Sequence, residues 1–578
     1  MLICAGDKPF AVESGHLPIV PDFVTSMDLL AYYFESCVIT YRCLHRGYVT
    51  EWVRTVVSNQ AASLPLFYGI GHAKASIVFT IFAIVSLRRS KVGNGVTGAV
   101  LSDEPLSHSD PFFCISKQMT DAEVGFPTLE SAQSRILQVL YLLQSARMNQ
   151  AWYVFGSTLP IVSALGLHRK SGRNRATGAA TKAHHYDYIT SQCRKRTFWV
   201  AYSIDKYLAV VFGRPRLYHD EDIDQEFPEC VNDEDMTAQG RATHEPQDDC
   251  HIDSLISHAK IAQLIDRISK DVYSIKKVPK HERLASARAL GQAVHEWREA
   301  LPHHLNVRPS SLNPTFKRQA TAMKLAYCHA IMHANRPFLL GATAPRKQGG
   351  TTALEDSVRE CINAARTALE TVDSMHRDRS LFYAFWWTPY VTFCALAIVY
   401  VWEIQQIQAQ HYESHGLHDL LELAEKCQSH LARATAQDSP AHRYSIILEE
   451  LRQEAKNRTI RAPWRGQRPV DQDITPTGQG FAAHETDADQ ASLIPRTHEA
   501  TRHEMDVDVD QTLLDGGHGF FGTGILDTWE TTDWLDLDSS VSTHCVQNRL
   551  SRIAYGTHRH LVHFLVSTAH LPTFGCLL

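Results

Sequence analysis

The stretch from Arg194 to Glu229 reads RKRTFWVAYSIDKYLAVVFGRPRLYHDEDIDQEFPE, and it limits the fold more than any other part of the chain. It begins basic, turns almost continuously apolar and aromatic, halts at Gly-Arg-Pro and ends in acids. A helix over residues 192–212 would carry Phe198, Trp199, Val200, Tyr202, Ile204, Tyr207, Leu208, Val210, Val211 and Phe212 around its whole circumference. A helix that is apolar all round has to be buried, so the chain needs further helices to enclose it. Gly213 is placed to end that helix and Pro215 prevents its resumption, which leaves HDEDIDQEFPE (219–229) as a solvated loop.

Asp205 then sits among aromatics, and a buried carboxylate needs a partner. Lys206 follows directly and points to another side of a helix, so Arg194, Arg196 or a base on another helix is the expected partner. No second acid, histidine base or nucleophile is spaced with Asp205, which favours a structural carboxylate over a catalytic one. The Arg-Lys-Arg run reads as the neighbourhood of a helix start rather than a DNA-contacting patch.

The rest of the chain can supply the enclosure. Ile136, Val139, Leu140 and Leu143 follow the spacing of one helix face, and Trp152, Phe155, Leu159 and Val162 form a second such face. Pro160 predicts a kink or break in that second helix, and Gly166 a stop after it. Further helices are expected over 316–334, 354–375 and 445–458. Alternating strand patterns are scarce, and the Asn-Gly at 94–95 lies in a loop-like stretch, KVGNGVTG. The fold class is therefore all-α, with helices packed around one large core and no fixed-period repeat. The apolar runs 76–87 and 390–402 fall short of the roughly 18–20 residues of a membrane span and read as buried helices. The N-terminus shows no secretory pattern, which predicts a soluble intracellular protein.

The net charge of −6 excludes a protein that is basic throughout, though not a local basic patch. The 13 cysteines run from Cys4 to Cys576 without paired spacing, as scattered buried thiols do in a reducing compartment. From about Ile460 the texture becomes that of a linker. Residues 504–540 then hold ten Asp or Glu and no Lys or Arg, interleaved with Phe520, Phe521, Trp529, Trp534 and several Leu. Acids that keep bulky apolar groups in water suit a disordered activation segment offering aromatics to a coactivator groove. A merely solvated acidic tail fits the same composition. Residues 541–578 are basic, apolar and rich in His, with no chemistry assigned.

Several motifs, in order, give the chain a family likeness. Arg194 and Arg196, the pair Phe198-Trp199, Asp205, the turn Gly213-Arg214-Pro215, Asp222-Ile223-Asp224 and the closing Phe-Pro follow the signature of the fungal-specific transcription factor regulatory domain. YFESCVITYRCLHRGYVTEWV (33–53) resembles that domain's opening strip, LESAQ…LGLHR (129–169) its central helix pair, and HANRPFLL (333–340) its His-Arg-Pro-Phe-Leu-Leu strip. The resemblance spans roughly 28–457, leaving an N-terminal segment 1–27, a linker 458–503, the acidic segment 504–540 and a tail 541–578.

The resemblance implies a nuclear regulator of transcription and no catalytic activity. It implies DNA contact through an N-terminal six-cysteine zinc cluster, the transcription machinery or a coactivator as partner, and homo- or heterodimers with relatives. The C-x2-C-x6-C arrangement of that cluster is missing from these residues, so zinc is implied only by the family's DNA-reading module, and no cofactor or metal ligand is expected in this chain. Direct DNA binding by this chain is correspondingly in question. The alternative expectation is a non-DNA-binding protein that dimerises with cluster-bearing relatives. A large helical core also has room for a small-molecule effector.

Other signals lack context. GHGFFG (517–522) matches a nucleotide-loop pattern with no strand before it, and HEATRH (498–503) is one residue too long for a zinc-protease motif. HAIMH (329–333) places two histidines one turn apart on a core-facing helix, which suits a structural role. HRKSGRNR (168–175) could act as a nuclear import signal, a solvated loop being the simpler reading.

Overall fold

A computed structural model describes residues 7–11, 19–97, 104–170, 186–242, 249–306 except 275, 312–341, 352–378, 386–408, 415–434 and 440–461. The acidic segment 504–540, the tail 541–578 and residues 171–175 of the basic run lie outside the described residues.

Fifteen α-helices are assigned among the described residues, and no strand. They are α1 (Phe23–Tyr32), α2 (Arg46–Ala61), α3 (His72–Thr97), α4 (Glu104–Asp121), α5 (Leu129–Gln144), α6 (Met148–Ala164), α7 (Tyr188–Phe212) and α8 (Asp253–Asp271). The order continues with α9 (Lys280–Glu299), α10 (His303–Asn306), α11 (Pro314–Asn335), α12 (Thr352–Arg377), α13 (Thr388–Gln408), α14 (His415–Ala434) and α15 (Pro440–Arg461). A short π-helix, Tyr33–Cys37, follows α1 and begins the opening strip. The expected all-α class holds, and the runs 76–87 and 390–402 are the buried centres of α3 and α13. No helix among the described residues is long and apolar enough to cross a membrane.

The packing runs from neighbour to neighbour. α3 packs on α4 and α5, α5 on α6, and α7 on α8. α11 then meets α8, α9 and α12, while α13 joins α12 to α15. Nearly all buried apolar side chains form one contiguous cluster from Val20 to Ala455, and a satellite of Ile189, Cys193, Val231 and Met236 lies under the first turns of α7.

Local chemistry explains several helix ends. The Asp187 carboxylate accepts from Thr190 N and starts α7 four residues before the expected Gln192. α5 ends in paired bonds, Arg147 N to Leu142 O and Ala146 N to Leu143 O, which force Ala146 to a left-handed φ of 62°. α6 ends the same way with Gly166 at φ 62°, as its glycine predicts. The start of α6 is capped from far away: both Asp7 carboxylate oxygens accept from Asn149 N and Gln150 N. Arg147, fully buried, pairs with Asp110 at 2.6 Å and donates to the carbonyls of Lys8 and Pro9, which straps residues 7–11 to the helices.

The break expected as one outcome at Pro160 does not occur, and the stretch 91–97 expected in a loop is helical. α6 runs through Pro160 to Ala164 without a break, because Pro160 and Gly156, whose carbonyl loses its partner, both lie on the exposed side where water takes the bond. The loop-like KVGNGVTG is helical as far as Thr97. A helix already nucleated by the buried run before it extends through glycine at about 1 kcal/mol each.

Replacing Ala146 by Gly removes the side chain from a left-handed position. We expect Ala146→Gly to raise the unfolding free energy by about 0.5–1 kcal/mol, read from the urea midpoint at unchanged slope.

Candidate functional site

The signature helix α7 is buried along almost its whole length, from Ile189 to Phe212. It carries ionic groups into that interior, and the chain after it folds back to meet them. Gly213 takes φ 60°, and Arg214 N then bonds to Ala209 O, which turns the chain sharply before Pro215. The turn delivers two backbone amides to α7: Leu217 N and Tyr218 N donate to the Asp205 carboxylate at 3.0 and 3.1 Å. Lys206 completes the arrangement, 3.3 Å from Asp205 and 3.3 Å from Asp266 on α8, with a further bond to Tyr218 O.

Asp205 is therefore paired with Lys206 and the returning chain, and neither Arg194 nor Arg196 is its partner. Sequence neighbours diverge around a helix axis, but a side chain as long as lysine curls back when a third element closes over it. Burial raises the Asp205 carboxyl above the usual carboxylate range, with Lys206 and the two amides opposing it.

The arginines hold other parts. Arg196, fully buried, donates to Asp233 Oδ1 at 2.6 Å and Val231 O at 2.8 Å. The Asp233 carboxyl meets burial, which pushes it up, but Arg196 and nearby donors hold it below its usual value. Arg194 donates to Leu165 O at 2.7 Å, and its guanidinium lies 4.4 Å from the Tyr186 ring centroid. Arg214 donates to Asn149 and lies over the Trp152 and Phe212 rings. Phe198 is in the core, while Trp199 donates its ring N–H to Glu226 O at 2.9 Å and stacks on Phe227 at 4.2 Å.

The stretch 219–229 is the largely exposed loop expected, and it also acts as a clasp. Asp224 bonds Arg169 at 2.9 Å and Lys170 N at 2.8 Å, and Asp222 O accepts from Arg169. Gln225, buried, donates to Leu167 O and Arg169 O, Ile223 packs on the core, and Asp220 accepts from Tyr202. Glu226 meets Lys170 and Lys195. Two separated motifs, Leu-Gly-Leu-His-Arg and Asp-Ile-Asp, are thus one interlocked structure. The sequence does not announce these pairs, because Arg169 and Lys170 lie more than fifty residues from Asp222 and Asp224, and Lys195 lies 31 residues from Glu226.

Sequence reasoning missed Asp233 and Asp266. Asp233 also accepts from Arg46 N and, through its carbonyl, faces the His45 ring that caps α2. The acidic CVNDEDM was the available signal, but its partner is 37 residues away. Beside this pair lies a cavity of about 70 Å3 whose charges balance, with Arg42, Arg46 and Arg196 set against Glu35, Asp233 and Glu234.

The two histidines of HAIMH are fully buried on α11, stacked on each other at 5.7 Å. His329 lies within 6.2 Å of the Tyr207 ring of α7, and Tyr207 also meets His258 of α8 at 4.9 Å. Thr40 bonds His258 Nδ1, and Ser269 bonds His333 Nε2. Burial pulls His258 and His329 down to about 3, with Arg336 adding to the effect at His329. These imidazoles are neutral structural rings. Burial likewise pushes the Cys43, Cys193 and Cys328 thiols up to about 12, so in this core they are protonated, apolar side chains. Among the described residues no group of three His, Cys, Asp or Glu converges as a metal site.

The described residues form an all-α body closed around one buried helix, α7. Residues 97–299 match the model of the fungal specific transcription factor domain, inside the 28–457 expected from the motifs, and the chain carries a regulatory domain of that kind. It is 23% identical over 462 residues to Activator of stress genes 1 of Saccharomyces cerevisiae, covering 76% of this chain and 44% of that protein. It is 22% identical over 277 residues to the transcriptional activator protein acu-15 of Neurospora crassa, covering 47% of this chain and 28% of that protein. A shorter match, 32% over 114 residues, reaches the pyrimidine pathway regulatory protein 1 of Saccharomyces cerevisiae, covering 20% of this chain and 11% of that protein. The chain spans less than half the length of each of these relatives.

Two outcomes are expected. Asp205→Ala leaves two amides and Lys206 short of a partner and should lower stability by about 3–5 kcal/mol in urea unfolding, with Asp205→Asn costing less because one oxygen still accepts. The second concerns pH. Unfolded imidazoles take up protons near 6.5 and the buried ones do not, so stability is full above that pH. It falls as pH drops from about 6.5 toward 3, by about 1.4 kcal/mol per unit for each of His258 and His329. Urea titrations at several pH values should show His329→Leu losing one histidine's share of that slope.

Proposed function

We propose that this protein is a nuclear regulator of DNA-templated transcription, in which the helical body governs an acidic activation segment at 504–540. The observation that carries the reading is the match of residues 97–299, whose motifs meet in one interlocked structure around α7. Two of the relatives above are named as activators, and the reading extends that role to this chain. The body works as a non-catalytic part. Its output passes through Phe520, Phe521, Trp529 and Trp534 to the transcription machinery or a coactivator, the acids holding these rings in water until a groove takes them.

DNA contact is the open element of this function. One reading supplies it through the family's zinc cluster. The other makes this chain a partner that dimerises with cluster-bearing relatives and modulates them. The two differ in one observable: in the second, any effect on a target promoter needs a relative that carries the cluster.

Fusing residues 501–540 to an unrelated DNA-binding domain should switch on a reporter gene. Changing Phe520, Phe521, Trp529 and Trp534 together to Ala should lower that output several-fold. A silent reporter with the intact segment would remove the activation part of the reading.

A further inference from the structure

A second cavity, about 310 Å3, opens between α2, the first turns of α5 and α7, and Leu165 at the end of α6. That volume lies at the lower end of the range of small-molecule sites. Its walls combine aromatic and aliphatic groups, Tyr48 and Trp52 from α2, Tyr186 before α7, and Leu129 and Leu165, with polar ones, His45, Thr128, Gln133 and Thr190. Arg194 of α7 lines it as well.

Arg194 is 8% exposed, and its guanidinium lacks what the neighbouring buried cations have. Arg147 has Asp110, Arg196 has Asp233, and Lys206 has Asp205 and Asp266. Arg194 has the Leu165 carbonyl and the face of Tyr186, its Nε–H is without a partner, and no carboxylate of the described residues lies within 4.0 Å. A buried cation held this way keeps most of its desolvation penalty.

The acids nearby are committed elsewhere. Glu130, also on the cavity wall, is 3.8 Å from Lys74. Asp187 accepts from Thr190 N, Thr190 Oγ1 and Tyr48 OH, seven residues and so about 10 Å along the helix from Arg194. Burial pushes the Cys193 thiol in the wall up to about 12, so it adds no negative charge.

We propose that this cleft binds a small planar organic anion, of the aromatic carboxylate class. The carboxylate would meet the Arg194 guanidinium, whose planar fork matches its geometry, and the ring would lie among Trp52, Tyr48 and Tyr186. Occupancy ties α2, α5 and α7 together at one end of the signature helix. The proposal concerns binding alone and goes beyond the transcriptional reading, so a silent reporter leaves it standing and its own failure leaves that reading standing.

The test uses the full chain with 2-naphthoate and its neutral counterpart 2-naphthamide in isothermal titration calorimetry at pH 7.5 and low salt. Naphthoate should bind at least about tenfold tighter than the amide, and added salt should weaken naphthoate alone. Arg194→Met should erase the preference, and Trp52→Ala, at a half-buried position, should weaken both probes. Glu130→Gln, which leaves Arg194 untouched, should tighten naphthoate about two- to threefold. Equal affinity for the two probes, no binding at millimolar concentration, or a naphthoate affinity indifferent to both Arg194→Met and Glu130→Gln would overturn the proposal.

Discussion

The structure turns on one buried carboxylate. Asp205 sits on a helix with no solvent-facing side, and its charge is tolerable only because the chain returns to it. The return requires Gly213 in a left-handed conformation and Pro215 to prevent further helix, so the Gly-Arg-Pro turn and the aspartate form one device. Lys206 extends the device to α8 through Asp266. Without the returning amides, α7 would hold a charge that its aromatic surroundings cannot stabilise.

From that anchor the clasp follows by geometry. Once Leu217 and Tyr218 are held against α7, the next residues run along it. Trp199 then takes Glu226 O and Phe227, Gln192 takes Glu229, and Arg196 takes Val231 O and Asp233. Asp224 and Gln225 close on the end of α6, and Asp233 reaches the start of α2. Polar groups thus specify how four helices meet around an apolar core that by itself would tolerate many packings.

Periodicity made much of this legible. The faces of α5 and α6, the helices later seen as α11, α12 and α15, and the burial of α7 all follow from spacing and from residues too apolar to face water. Gly213 and Gly166 marked true helix ends because φ near 60° is costly for other residues. Ala146 shows the limit of that rule, since tertiary packing holds it in the same conformation without a glycine to announce it. Pro160 shows another, as a proline on a wet face does not end a helix that its buried face sustains.

What the sequence determined by itself is the helical class, the buried signature helix, and the stop-and-turn after it, since each depends on interactions within a few residues. The partners of the charges were decided only in three dimensions. Asp205 with Lys206, Arg196 with Asp233, Asp224 with Arg169 and Asp7 with the start of α6 join residues whose pairing depends on which surfaces exclude water together. The setting of Arg194 is of the same kind: local sequence shows an arginine on a helix, and only the surrounding fold buries it with no carboxylate of the described residues beside it.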